Sequence, residues 1–339
     1  MPCGVDFPRS LASGILKFFS AHPPEVLARV NIVVNTKRMR LRLLEEFASL
    51  GSILIPNVHV VSDLSELIGT FKDPNPKSHL QYRFELMVLV QKLIEQQPDL
   101  ASKSALYDLT DNLAKLIDEL QGENVAPSII KKLNVEDQSG HWQRILHFVD
   151  IVTTYLEKRN LEPDSEGFQR NQVRALLKSW EEFPPENYIF IAGSTGSRGT
   201  TLELIKGIYG LNKGVVVLPG FDFHMPETVL GSISDPLIGE DHPQYRFVKM
   251  LKGLNVKYKD VDIWPTGSPP SIPRNKLISL ALRPAPFTDS WMSEGPKLEC
   301  LDRACEGLSL FEAENQREEA LAIAMVLRKA ADQNKRAAL

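Results

Sequence analysis

Residues 187–222 restrict the fold more than any other part of the chain. Tyr188-Ile-Phe-Ile-Ala192 is a short run of β-branched and aromatic residues with no polar alternation, as expected of a parallel strand buried on both faces. The Gly/Ser/Thr-rich residues 193–201 follow, and Leu202, Leu204, Ile205, Ile208 and Tyr209 then recur with helical spacing. A second apolar run, Val215-Val-Val-Leu218, closes on Pro219-Gly220. Strand, loop, helix and strand in this order predict a parallel sheet with a right-handed crossover. In such sheets the glycine-rich turn at a strand's carboxyl end is where ligands bind.

The same texture occurs near the start. Pro8 follows Asp6 at a helix-start position, with Leu11, Ile15, Phe18 and Phe19 as its apolar face. Residues 30–34 (Val-Asn-Ile-Val-Val) read as a buried strand. Thr36 is placed to cap a helix with Leu41, Leu44 and Phe47 turned inward and Lys37, Arg38, Arg40 and Arg42 near its start. Ile53-Leu-Ile-Pro56 and His59-Val-Val61 predict a further short strand ending at Ser62-Asp63.

At Asp73-Pro-Asn-Pro76 the strand signal stops. Four amphipathic stripes follow: Leu80, Phe84, Met87, Val88 and Leu93; Leu106, Leu109, Leu113, Leu116, Ile117 and Leu120; Ile145, Phe148, Val149 and Val152; and Val173, Leu176, Leu177 and Trp180. The prediction is α/β with an all-α insert. Residues 1–76 and 184–306 form the two parts of one α/β domain, 77–183 the helical insert, and 307–339 the start of another domain. Residues 312–329 predict an amphipathic helix carrying Ala320, Ile323, Ala324 and Leu327. Arg336-Ala-Ala-Leu339 has no helix stop, so the sequence reads as one cut from a longer chain.

Composition narrows the function classes. The formal charge of −4 makes the whole chain a poor electrostatic partner for nucleic acid, so any such contact requires a local patch. Cys3, Cys300 and Cys305 form neither a CxxC pair nor a disulfide framework, as in a cytoplasmic protein. No apolar run reaches the length of a membrane span.

Several motifs have competing readings. Gly193-Ser-Thr-Gly-Ser-Arg-Gly-Thr-Thr201 invites comparison with a phosphate loop. Its spacing is wrong and it lacks the lysine, Arg198 being its one cation. It is read as a structural turn, or as an unorthodox phosphate loop in a nucleotide-binding enzyme. The cluster at Lys37, Arg38, Arg40 and Arg42 is either a solvated helix face or a contact for phosphates. His141 and His147 are six apart and do not share a helix face as metal ligands would. Asp222, His224 and Glu227 suggest a hydrolase, yet no nucleophile motif accompanies them. Asp289 and Trp291, after Arg283-Pro284, read as a hydrogen-bonded loop with an aromatic anchor. A protein-docking scaffold without nucleic-acid contact is also compatible with the charge.

The ordered set of stretches resembles the N-terminal part of the AddB family in its alphaproteobacterial form. Pro2-Cys-Gly-Val-Asp-Phe7 resembles the family's opening Pro-Pro-Gly-x-Pro-Phe. Asn35-Thr-Lys-Arg-Met-Arg-Leu-Arg-Leu-Leu44 resembles its Pro-Thr-Arg-Arg-Ala segment. Ala192-Gly-Ser-Thr-Gly-Ser197 and Val216-Val-Leu-Pro-Gly-Phe-Asp222 resemble two further segments, and His242-Pro-Gln-Tyr245 and Leu282-Arg-Pro-Ala-Pro-Phe-Thr-Asp-Ser-Trp291 complete the match.

The resemblance implies a RecA-like parallel sheet, the first motor domain of a superfamily 1 helicase, in a subunit of a helicase–nuclease that processes DNA double-strand breaks. It implies lost motor chemistry. Gly4 stands in a first loop without Gly-Lys-Thr/Ser, and Ala192 stands where the Mg²⁺-binding aspartate would end its strand. It implies DNA contact through Lys37, Arg38 and Arg40, with Ser194, Thr195 and Ser197 on the same strand path. It further implies an AddA-type partner subunit, no catalytic residue and no cofactor in this chain. The family's iron–sulfur cluster and divalent metal belong to a C-terminal nuclease domain that the sequence does not contain.

Overall fold

The computed structural model describes residues 1–51, 54–68, 78–96, 98, 102–122, 125, 165–196, 199–335 and 337. The third predicted stripe, with His141 and His147, lies outside them, as do Ile53, Ser197 and Arg198.

Four strands form one all-parallel sheet: β1 (Asn31–Val34), β2 (Asn57–Val60), β3 (Ile189–Ala192) and β4 (Gly214–Val217), in the order β2-β1-β3-β4. The chain is thus an α/β protein, as its β-loop-α-β pattern predicts. Val34 stands opposite Val60 and Ala192, and Ala192 opposite Val217, so all four strands end level.

Strand periodicity of two assigns alternate residues to opposite faces. Ile32, Val34, Phe190 and Ala192 pack under α1 (Phe7–Phe18) and α3 (Lys37–Ser49), against Leu11, Ile15, Leu43 and Phe47. The short α2 (Pro24–Ala28) adds Leu27. Val33, Ile189 and Ile191 face the other way and meet α7 (Ser165–Glu182), α8 (Gly199–Tyr209) and α11 (Tyr245–Gly253) through Leu176, Ile208 and Phe247. Each such aliphatic side chain withdrawn from water contributes about 1.5–3 kcal/mol.

Local signals set the helix starts. Asp6 accepts from the Arg9 N–H (3.4 Å), so the helix starts at Phe7, one residue before the expected Pro8, and Thr36, the predicted N-cap, accepts from the Met39 N–H (3.1 Å). α3 turns Leu43 and Phe47 inward, whereas Leu41, predicted to be inside, is 63% exposed. Positions two apart lie on nearly opposite sides of a helix, and capping at Thr36 fixes which set faces the sheet. The second strand begins at Asn57, later than predicted. Pro56 cannot donate to the ladder, and Leu54 and Ile55 remain exposed.

After the one-turn α4 (Ser65–Ile68), α5 (His79–Gln96) and α6 (Leu106–Gly122) share a small core of Tyr82, Leu86, Val90 and Leu93 with Leu113 and Ile117. The face of α5 differs from the prediction: Leu80, Phe84 and Val88 are exposed. The helix is apolar on more than one side, so the series 80/84/88 and 82/86/90 have the same period and differ only in phase. α7, predicted as part of the insert, lays Val173, Leu176 and Trp180 on the sheet core and also contacts α6.

Beyond β4 the chain adds α9 (Glu227–Ile233), α10 (Pro236–Gly239), α11, α12 (Ile272–Ala281), α13 (Asp289–Glu294) and α14 (Leu301–Cys305). α15 (Gln316–Asp332) is the predicted terminal helix, capped by Asn315, and none of its residues is buried. Among the described residues no helix is long and apolar enough to cross a membrane.

Candidate nucleic-acid interface at the carboxyl end of the sheet

Parallel pairing brings the turns after β1, β3 and β4 to one end of the sheet. β1 continues through α3 to β2 on one side, while β3 lies on its other side. The winding direction therefore reverses between β1 and β3, the position where open α/β sheets leave a crevice for ligands. Asn35 and Gly193 emerge next to each other there, one residue past the paired Val34 and Ala192.

Gly193 has φ +78°, a conformation that disfavours any side chain, and its N–H donates to the Val217 carbonyl (3.3 Å). A Cβ on Gly193 would stand 3.2 Å from Cε1 of Phe7 and 3.8 Å from Oδ1 of Asn35, so both side chains border Gly193. Ser194 Oγ accepts from the Gly196 N–H (3.2 Å), which folds the loop onto itself. Ser194 and Thr195 are partly exposed. Of the predicted strand-path residues they are the two the structure describes, Ser197 lying outside it.

The basic cluster splits. Lys37, Arg38 and Arg40 are exposed on the first turn of α3, and no ion pair involves them among the described residues. Arg42, one turn on, is committed to Glu46, Glu45 (3.4 Å) and Asp6 (3.9 Å). The first turn of α3 contains no acidic residue. Cations there oppose the positive end of the helix dipole and cost a few tenths of a kcal/mol each. The same arrangement, with free helix N–H groups beside three cations, is favourable for a bound polyanion. Arg40 also acts on β2: burial chiefly, and then this guanidinium, push the His59 pKa below the usual histidine value, against the pull of Glu66 and Asp63. His59 Nε2 lies 3.1 Å from Asn31 Oδ1.

The predicted degenerate nucleotide site consists of two separate features. Pro2 makes a parallel bridge to Phe221, with Met1 accepting from the Phe221 N–H (2.9 Å) and donating to the Leu218 carbonyl (2.9 Å). The chain's opening therefore lies beside the extension of β4. Burial pushes the Met1 ammonium pKa down to about 6. Residues 3–6 then turn into α1 through Gly4 at φ +79°.

Protein contacts hold this turn. The Cys3 carbonyl accepts from Asn275 Nδ2 (2.9 Å), Cys3 Sγ donates to the Gly220 carbonyl (3.1 Å), and Pro270 packs 3.5 Å from where a Gly4 Cβ would be. Neither lysine nor hydroxyl lies in the turn. Burial, then the Asp222 carboxylate, push the Cys3 thiol pKa up, so it is no ready nucleophile. Ala192, the second feature, is fully buried among apolar residues that include Val34 and Val217 and offers no ligand. Among the described residues no three acidic, histidine or cysteine side chains group to hold a metal.

The remaining motifs have structural partners. Asp222 Oδ1 accepts from the His224 N–H (2.9 Å), and the Asp222 N–H donates to Gln244 Oε1 (3.0 Å). Gln244 Nε2 in turn donates to the Gly220 carbonyl (3.0 Å), clamping the turn after β4. Glu227 opens α9 and joins no triad. Trp291 Nε1 donates to the Leu280 carbonyl (2.9 Å), and buried Arg283 grips Glu294 through two bonds of 2.5 and 2.7 Å. That grip lowers the Glu294 pKa below the ordinary carboxylate range. Pro270, Asn275 and Glu294 were not singled out from sequence, and Phe7 and Gln244 only as members of matched stretches, because their roles depend on contacts between distant segments.

No protein-family model matches the chain, and no curated protein matches it.

Proposed function

We propose that this chain is the helicase-like module of an AddB-type subunit: a RecA-like domain without motor chemistry that guides DNA during double-strand-break repair and docks on an AddA-type motor subunit. The observation that carries the reading is the first turn of α3. Three exposed cations crowd a helix start next to the crevice between β1 and β3, at an electrostatic cost to the helix. Such a cost is what a contact surface retains and a purely structural surface has no reason to keep.

The RecA-like assignment draws support from the edge of the sheet. The Pro2–Phe221 bridge sets the turn at residues 3–6 level with the turns after β3 and β4, where a motor domain would collect its phosphate loop, metal aspartate and sensor. Here those positions hold a turn latched by Asn275, a buried alanine and a carboxylate that accepts from the His224 N–H. Nothing in this set can neutralise the charge that builds up in phosphoryl transfer.

The test is photo-crosslinking of single-stranded DNA carrying 5-iodo-deoxyuridine, with the modified peptides mapped by mass spectrometry. The reading expects crosslinks in the segment containing Thr36, Lys37 and Arg38 and in that containing Ser194 and Thr195. Crosslinks confined to other surfaces, or none above background, would sink it.

A further inference from the structure

β4 is an outer strand of the sheet. The Ile189 N–H donates to the Lys213 carbonyl and the Gly193 N–H to the Val217 carbonyl (3.0 and 3.3 Å), so Lys213, Val215 and Val217 turn their backbone groups towards β3. Gly214, Val216 and Leu218 turn theirs outward. The Gly214 N–H donates to the Leu211 carbonyl (3.1 Å), and the Leu218 carbonyl accepts from Met1. The N–H and carbonyl of Val216 make no hydrogen bond among the described residues. A strand edge with free donors and acceptors is a template for another chain.

A cavity of about 330 Å³ lies along this edge. Val215, Val216, Val217 and Leu218 all line it, which alternating side chains allow only where a cavity follows the edge of a strand. Its walls come from both layers of the fold. Met1 and Trp264 belong to the core under α1 and α3, Leu251 and Leu254 to the core on α7, α8 and α11. The cavity therefore occupies the plane of the sheet, in the place of a fifth strand. Residues 260–265 form its far side. They are tethered to α1 by Trp264 Nε1, which donates to the Ser10 carbonyl (2.9 Å), and make no ladder with β4.

Two observations define the occupant. Pairing on this edge has already begun just beyond the cavity, through the Met1–Leu218 and Phe221–Met1 bonds and the Pro2–Phe221 bridge, so an added strand continues an existing ladder. Charge is the second. Asp260 and Asp262 are exposed on the lining, no ion pair involves them among the described residues, and the lining holds neither arginine nor lysine. Lys257 and Lys259 are on the same segment but off the lining. The Met1 ammonium, its pKa lowered by burial to about 6, is largely neutral at pH 7. The slot is apolar inside and acidic at its rim.

We propose that the outer edge of β4 binds an extended segment of a partner protein as a fifth strand, with apolar residues in the slot and flanking lysines or arginines on Asp260 and Asp262. In such strand addition backbone bonds supply affinity and side chains supply specificity. The surface differs from the first turn of α3, and the proposal does not rest on the DNA reading.

The test titrates acetyl-Lys-Val-Ile-Val-Lys-amide against the chain while amide exchange is followed residue by residue in ¹H–¹⁵N spectra. In the empty protein the Val216 N–H should exchange faster than those of Val215 and Val217, which are bonded to β3. With the peptide at roughly ten times its Kd, itself expected on the order of 1 mM, Val216 exchange should slow about tenfold. The peptide with its three central amides N-methylated should have no saturable effect, because it cannot pair with an edge. Glutamates in place of its lysines should weaken binding at least about fivefold. Asp260→Asn/Asp262→Asn should weaken the lysine peptide about three- to fivefold with the melting temperature unchanged. Equal exchange at Val216 and its neighbours in the empty protein would show the edge already closed. That result, no slowing at tens of millimolar peptide, binding of the N-methylated peptide, or affinity indifferent to both charge changes would each overturn the proposal.

Discussion

Replacing Gly14 with alanine should destabilise the chain, although the same change in an exposed helix interior usually stabilises by about 1 kcal/mol. Gly14 lies inside α1 against Trp264, and a Cβ built there would stand 2.0 Å from Nε1 and 2.4 Å from Cε2. The indole has little freedom to retreat. Its Nε1 donates to the Ser10 carbonyl (2.9 Å), and its ring meets Phe190 edge-on at 6.4 Å between centroids. Displacing it costs about 1–3 kcal/mol of overpacking, to which the lost hydrogen bond adds about 1 kcal/mol. Set against the propensity gain, the net loss is about 1–3 kcal/mol. Urea denaturation followed by far-ultraviolet circular dichroism would measure it, with Trp264→Leu and the double variant completing a cycle. The double variant should be less impaired than the sum of the single changes, because the smaller leucine side chain leaves room for the new methyl group. A Gly14→Ala chain at or above wild-type stability would show that α1 does not pack on Trp264 in this way.

Three further outcomes follow from the sheet and its loops. Ala192→Asp should cost at least about 3 kcal/mol, because it buries a charge among Val34 and Val217 without a partner; a soluble variant with wild-type melting temperature would contradict this. His59 has a depressed pKa in the folded chain, so the unfolded chain takes up its proton first as pH falls. The stabilisation from neutral His59 is complete above about pH 6.5 and declines below it, so melting temperatures recorded from neutral pH downward should fall less steeply for His59→Gln. A fluorescent ATP analogue with Mg²⁺, competed by unlabelled ATP, should show no competable binding into the millimolar range. Micromolar competable binding would return residues 193–201 to consideration as a phosphate loop.

Much of the sheet was legible because its strands are short β-branched runs buried on both faces, and Asp6 and Thr36 announced their helices by side-chain chemistry. Helix phase was less legible. Leu41 and Leu43, or Phe84 and Leu86, differ only in which neighbour they meet, and sequence periodicity contains no neighbour. The membership of α7 was hidden for the same reason: its Val173–Leu176–Trp180 stripe fits a bundle or a sheet equally well. At the site, the basic turn of α3 could be read from sequence, but the commitment of Arg42 could not. That depends on Glu46 one turn away and Asp6 before α1. The latch on the opening turn was invisible, since Cys3 and Asn275 are separated by 272 positions.

The central claim, that the first turn of α3 contacts DNA phosphates, is tested most directly by fluorescence anisotropy of a labelled single-stranded oligothymidine. The titration would be repeated across a salt series for the wild-type chain and for Lys37→Glu/Arg38→Glu. Each neutralised phosphate on a single strand contributes a slope of about −0.7 in log K against log salt, so three contacts predict about −2. Reversing two of the three should weaken binding and flatten the slope to about −0.7 or less. Affinity and slope unchanged by the double reversal would contradict the account.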